Sequence, residues 1–195
     1  LADYGLQLSH LTELKRLFEH ATTFGSLIQV PEGLAEQLPA LKSLSMVTSQ
    51  DLFVADELNR LGALVQQAEL LAAQYDAVVA NPPYMGSKLY CPILKEFVNA
   101  FYEAGKPDLY AAFTLRNIEL ASDGGRIGMI TIPNWMFLSS FELMRHAIFQ
   151  SAPISSLVHI GRGVWGSDFG SCSYVLERSS FRKLEGQFLR LFDKQ

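Results

Sequence analysis

Cysteine, histidine clusters, long apolar runs and excess positive charge are all scarce in this chain, and each scarcity removes a class of protein. Cys91 and Cys172 are its two cysteines, far apart and outside any Cys-x-x-Cys pattern. They read as free thiols in a reducing cytoplasm rather than as a disulfide framework. The four histidines, His10, His20, His146 and His159, form no metal-spaced cluster, so no metal is expected. No apolar run is long enough to span a bilayer and no secretory signal is visible, so no membrane association is expected. A net charge of −4 argues against a self-sufficient nucleic-acid clamp. The charge is uneven, however. Residues 1–76 hold ten acidic and four basic residues, whereas residues 77–195 hold twelve basic and ten acidic ones.

The 195 residues, 49% hydrophobic and 18% charged, suit a globular domain with an appendage. Residue 1 is Leu, which suggests a segment of a longer protein. The leading third reads as helical. Leu11, Leu14, Leu17 and Phe18 recur at helical spacing, with Gly25 able to close that helix. A short helix is expected from Pro31 or Glu32 to Leu38. A longer one starts near Asp51 and carries Leu58, Leu61, Val65, Ala68 and Leu71 on one face. From Tyr75 the text changes to strands alternating with helices, which predicts a mostly parallel sheet. Strands are expected at 75–80, 126–132, 154–160 and 172–176. Helices are expected at 92–104, 109–121 (with Asp108 as N-cap) and 139–150. Ser122-Asp123-Gly124-Gly125 reads as the break before the second strand. Three parts follow: a helical segment at 1–74, an α/β core portion at 75–178, and the start of a following segment at 179–195.

Tyr75–Ala80 has the composition of a buried strand, and it runs directly into Asn81-Pro82-Pro83-Tyr84. Open α/β sheets build their sites at such carboxyl ends. The strand–helix–Gly-Gly–strand order at 75–132 would bring Asn81–Tyr84 near Pro133-Asn134-Trp135. An exocyclic amine on a heteroaromatic ring is a poor nucleophile, because its lone pair is shared with the ring. Accepting both N–H bonds in a non-planar arrangement localises that pair. The Asn81 side-chain oxygen and the Pro82 carbonyl are two suitable acceptors. The consecutive prolines stiffen the turn, so the acceptors are preorganised. Tyr84 offers a flat face on which an extruded base can stack, worth about 1–3 kcal/mol. The methyl donor would have to be a sulfonium, and a base inside a duplex would have to be flipped out.

On these residues the chain resembles amino-group DNA methyltransferases of the adenine-N6 type, in which Asn-Pro-Pro-Tyr is the catalytic motif. Ala80–Lys88, Asp108-Leu109-Tyr110, Gly125–Thr131 and Gly161–Gly170 follow in an order similar to the adenine-specific methyltransferases of BREX phage-defence systems. The resemblance spans residues 20–178 and implies an α/β fold. That fold is the C-terminal half of a Rossmann-like S-adenosylmethionine-dependent methyltransferase sheet, preceded by a helical segment. It implies that Asn81, Pro82, Pro83 and Tyr84 form the catalytic turn, with Asn81 and Pro82 holding the target amine. Tyr84, Phe169 and Trp165 would be the base-stacking rings and Lys88 a DNA-phosphate contact. Asp108 is expected to cap a helix and Asp76 to play a structural part. The implied cofactor is S-adenosylmethionine. The implied partners are double-stranded DNA with a flipped adenine and other phage-defence proteins, in the bacterial cytoplasm near the nucleoid.

One departure stands out. The family's glycine-rich cofactor turn and its acidic ribose partner are missing from residues 1–74, where Gly5, Gly25, Gly33 and Gly62 are single. Gly161-x-Gly163-x-x-Gly166 fits the dinucleotide spacing but leads into a strand, so it reads as a loop. The segment alone is therefore expected to be inactive. Two competing readings remain: methylation of another planar nitrogen, in protein glutamine or RNA guanine, and a non-catalytic assembly module of a defence complex.

Overall fold

The computed structural model describes residues 1–166, 169–179 and 185–193. The chain divides into two compact units, Leu1–Ala73 and Gln74–Gln195.

The first unit is helical. It comprises α1 (Leu8–Leu17), α2 (Ala21–Phe24), α3 (Glu32–Ala35), α4 (Leu38–Ser45) and α5 (Leu52–Ala72). Leu14, Phe18, Leu34, Leu41, Val65 and Ala68 meet in its core, the pattern expected of apolar stripes at helical spacing. The Asp51 carboxylate caps α5 by accepting from the Phe53 and Val54 amides at 2.9 and 3.4 Å. Lys42 on α4 pairs with Glu69 on α5 at 2.9 Å. The text from Pro31 to Leu38 yields two helices rather than one. Pro39 cannot donate an amide, which suits it to the first turn of α4, so a new helix starts there.

The second unit is α/β: β1 (Tyr75–Ala80), α6 (Pro92–Phe101), α7 (Leu109–Leu120), β2 (Ala121–Thr131), α8 (Asn134–Phe137), α9 (Glu142–Ser151), β3 (Ile154–Gly161), β4 (Ser171–Glu177) and β5 (Gln187–Arg190). The five strands form one sheet in the order β1-β2-β4-β3-β5. The sheet is mixed rather than mostly parallel. β1 lies parallel to β2 and β3 parallel to β5, while β4 inserts antiparallel between β2 and β3. The nine-residue link from β3 to β4 has no helix among its described residues to carry the chain back across the sheet, so β4 returns in the opposite direction. β5 lies within residues 179–195, a stretch read from sequence as the start of a following segment. It belongs to this sheet instead.

Two further differences concern the first crossover. Ser122–Gly125 is not a loop before the strand. It is a bulge inside β2, since Tyr75 pairs with Ala121 and Ala77 with Arg126. Gly124 permits this with φ at +77°, and Ser122 Oγ donates to Asp76 Oδ1 at 2.9 Å. β1 itself is an exposed edge strand, with Val79 84% exposed. Its apolar composition suits a strand covered on both faces, but β2 is its one ladder partner among the described residues.

The sheet core gathers Ile127 and Met129 of β2, Tyr174 and Leu176 of β4, and Trp135, Met144 and Ile148 from α8 and α9. α7 approaches the preceding 3-10 turn closely. A Cβ on Gly105 would stand 2.6 Å from the Ala112 backbone. Gly105→Ala is therefore expected to cost about 1–3 kcal/mol of stability, read as a lower urea midpoint with an unchanged slope. An unchanged midpoint would contradict this packing.

Candidate active site

The parallel register puts Ala80 opposite Met129, so the turn after β1 emerges beside Ile130–Ile132. Within the turn Pro82 is buried, whereas Asn81, Pro83 and Tyr84 are exposed. The Tyr84 hydroxyl donates toward Asn81 Oδ1 at 2.8 Å and toward the Ile130 carbonyl at 3.1 Å. One proton is shared between two acceptors. The bond fixes the Asn81 carboxamide oxygen, which keeps a second lone pair for another donor. Burial, and secondarily Cys172, raises the Tyr84 pKa, so its hydroxyl stays protonated and donating at neutral pH.

A cavity of about 380 Å³ opens at this point. Asn81 and Tyr84 line it from the β1 turn, Ile130 and Ile132 from the end of β2. Trp165, Phe169, Gly170 and Ser171 line it from the approach to β4. Its size falls in the range of small-molecule sites, and its wall is apolar and aromatic with few polar groups. Trp165 and Phe169 are 63% and 72% exposed, so both rings are available to a ligand rather than spent in the core.

The structure thus brings together Asn81, Tyr84, Trp165 and Phe169. Pro82 and Pro83 stiffen the turn without lining the cavity. Lys88 sits on an exposed 3-10 turn and is not among the lining residues. Trp135 turns away into the core, packed against Tyr174 at 4.9 Å between ring centroids. Its segment is pinned by Arg145, whose guanidinium donates to the Trp135 and Leu138 carbonyls, both at 2.7 Å. Asp108 caps α7 by accepting from the Tyr110 amide at 3.3 Å. Ser167 and Asp168, part of the stretch that carried the resemblance, lie outside the described residues.

Sequence reasoning missed Ile130, Ile132, Gly170 and Ser171. The first two were recoverable, because parallel pairing of two strands joined by a helical crossover sets their carboxyl ends level. Gly161, the last residue of β3, and Gly163 and Gly166 beyond it have φ of +93°, +77° and +70°, and β4 follows them. They make no phosphate-binding helix start. The buried Cys172 thiol contacts Thr131 Oγ1 at 3.4 Å, and burial pushes its pKa up, so it remains neutral.

A model of the Eco57I restriction-modification methylase family matches residues 11–165. The chain belongs to this family. It is 33% identical over 201 residues to the adenine-specific methyltransferase BrxX of Escherichia coli O9:H4 (strain HS), a match covering 98% of this chain and 16% of that protein. It is 34% identical over 147 residues to the adenine-specific methyltransferase PglX of Lacticaseibacillus casei (strain Zhang), covering 72% of this chain and 12% of that protein. The chain therefore spans less than a fifth of either relative. A class I S-adenosylmethionine-dependent methyltransferase fold from Listeria monocytogenes superposes with a TM-score of 0.52 at 18% identity, covering 97% of this chain and 68% of that one. This likeness establishes the fold.

Tyr84→Phe is expected to lower stability by about 0.5–1.5 kcal/mol, the net worth of the lost hydroxyl bonds. Urea unfolding of both proteins at several pH values checks it. Because folding raises the phenol's pKa, the difference is full below the free phenol's value of about 10 and is lost as pH rises from there through the raised value. Equal midpoints at neutral pH would mean that the hydroxyl bonds add nothing in solution.

Proposed function

We propose that this chain carries the target-amine half of a DNA adenine-N6 methyltransferase acting in phage defence or restriction–modification. The observation that carries the reading is the convergence of Asn81, Tyr84, Trp165 and Phe169 on one cavity at the carboxyl end of the sheet. An amide acceptor on a stiff turn among three aromatic rings is what an extruded purine with an exocyclic amine needs. In this reading, Asn81 Oδ1 accepts one N–H bond of the amine from the cavity wall, and the Pro82 carbonyl, on the same turn though not a lining group of the unliganded cavity, accepts the other. Its lone pair is thereby drawn out of conjugation. Tyr84 stacks on the base, with Phe169 and Trp165 closing the other sides. A ring carbonyl in place of the amine would meet an acceptor instead of a donor, so the pocket selects for amino bases.

The methyl donor implied by the resemblance is S-adenosylmethionine, which supplies an electrophilic methyl on sulfur. The described residues ahead of β1 are helical and contain no strand closing on a glycine-rich turn. The chain thus lacks the main fit for that cofactor, and the donor's binding surface is not assigned to its residues. On this ground the segment alone is expected to be inactive. We assign residues 1–74 as an insertion or scaffold and 75–178 as the partial catalytic core. Double-stranded DNA is the proposed partner. Among the described residues there is neither a group of side chains fit to hold a metal nor a helix long and apolar enough to cross a membrane.

The assembly-module reading draws on the first unit, where Leu52 and Phe53 are 84% and 87% exposed beside an apolar groove. It leaves the four converging side chains unexplained. Protein glutamine and RNA guanine have planar amines as well, and product analysis separates them from adenine. In the full-length protein, Asn81→Ala is expected to lower N6-methyladenine formation by about 10²–10³-fold or more with the fold intact, as measured by nucleoside mass spectrometry. Phe169→Ala and Trp165→Ala are expected to weaken DNA engagement by about 1–3 kcal/mol each. Unchanged methylation by the Asn81 variant would remove this turn from the chemistry.

A further inference from the structure

Between the turn and α7 the chain makes an excursion over residues 85–108 that contains α6, and its two ends are tied at a neck. The Leu109 amide donates to the Met85 carbonyl at 2.9 Å, and the Ser87 amide to the Pro107 carbonyl at 3.1 Å. Gly86 and Asp108 form an antiparallel bridge. At the centre of this neck, Asp108 Oδ1 accepts from the Met85 amide at 3.0 Å and from the Tyr110 amide at 3.3 Å. Met85 is the chain neighbour of Tyr84. Tyr110 is its ring partner, edge-to-face with centroids 6.2 Å apart. Tyr110 is itself fully buried and stacked on Phe141 at 5.6 Å, so it is a fixed reference point.

We infer that Asp108 is a positioning residue for the catalytic turn, one oxygen holding both the backbone beyond Tyr84 and the helix start that presents Tyr110 to the Tyr84 ring. The argument rests on the reading of Asn81–Tyr84 as the amine-binding turn, and it goes beyond helix capping. A cap needs one acceptor for α7 alone; Ser, Thr or Asn would serve equally. The second bond, to Met85, does nothing for the helix and lies across the neck. The half-buried setting agrees with this. Burial pushes the Asp108 pKa up, while the amides of Tyr110, Met85 and Leu109 hold its charged form. Tyr90, buried alongside, feels the same charge. Small displacements of a group that orients a reacting amine are costly in rate, on the order of a hundredfold for about 1 Å.

The test compares Asp108→Ser with Asp108→Asn in the full-length protein, with S-adenosylmethionine and unmethylated genomic DNA as probes. Serine keeps a good cap for α7 but is too short to reach Met85 as well. Asparagine keeps the carbonyl oxygen that serves both amides. The Ser variant is expected to keep its unfolding midpoint near wild type. Its kcat should fall about ten- to a hundredfold with little change in KM, and exchange at the Met85 amide should accelerate about tenfold. The Asn variant is expected to stay within about threefold of wild type on both readouts. Wild-type kcat and Met85 protection in the Ser variant would overturn the inference, as would an Asn variant as impaired as Ser. An Asn81→Ala control run alongside separates the two claims. Full activity there sinks the amine-binding reading, while Met85 exchange still reports on the neck.

Discussion

Four consecutive residue pairs, Ala77 with Arg126 through Ala80 with Met129, hold the ends of β1 and β2 level. The rest of the site follows from that register. It sets the Asn81–Tyr84 turn beside the last residues of β2, so that one hydroxyl, that of Tyr84, bridges Asn81 and the Ile130 carbonyl. A slip of one residue would put the side chains of β1 on the wrong faces and carry the turn out of reach. The bulge at Ser122–Gly125 absorbs the mismatch between strand lengths at the other end of the pair, where it does not disturb the turn.

The chemistry the cavity supports depends on stiffness more than on charge. Among the described residues no ionised side chain lines it. Its polar side-chain groups are a carboxamide, a phenol kept neutral by burial, a serine hydroxyl and an indole N–H. Redistributing the electrons of a flat amine calls for acceptors that do not reorganise when the amine arrives. Two prolines, the shared hydroxyl proton and the Asp108 neck each remove freedom from the same four residues. Arg145 does the same for the segment after β2 by holding two carbonyls.

The candidate site was the most legible part of the sequence. A stiff tetrapeptide placed after an apolar strand marks where the cavity opens, and its residues suggest the proposed chemistry. The aromatic pair Trp165 and Phe169 was found through the resemblance, since no periodicity marks loop residues. What the sequence hid has physical causes. The antiparallel course of β4 was hidden because an apolar strand reads the same in either direction. β5 is short and fully exposed, so it lacks the buried pattern that identifies a strand. The exposure of β1 was invisible as well, because its composition is that of a strand covered on both sides. The double role of Asp108 could not be read from spacing, which reveals the cap and not the bond across the neck to Met85.

The central claim is that the Asn81 carboxamide receives the amino group of an extruded adenine. It is tested most directly by the structure of the full-length protein bound to duplex DNA containing its target. The account predicts the adenine out of the helix, its ring against Tyr84 and enclosed by Trp165 and Phe169, with N6 about 2.7–3.2 Å from Asn81 Oδ1. A target base held elsewhere, with Asn81 still bonded to Tyr84 alone, would contradict it.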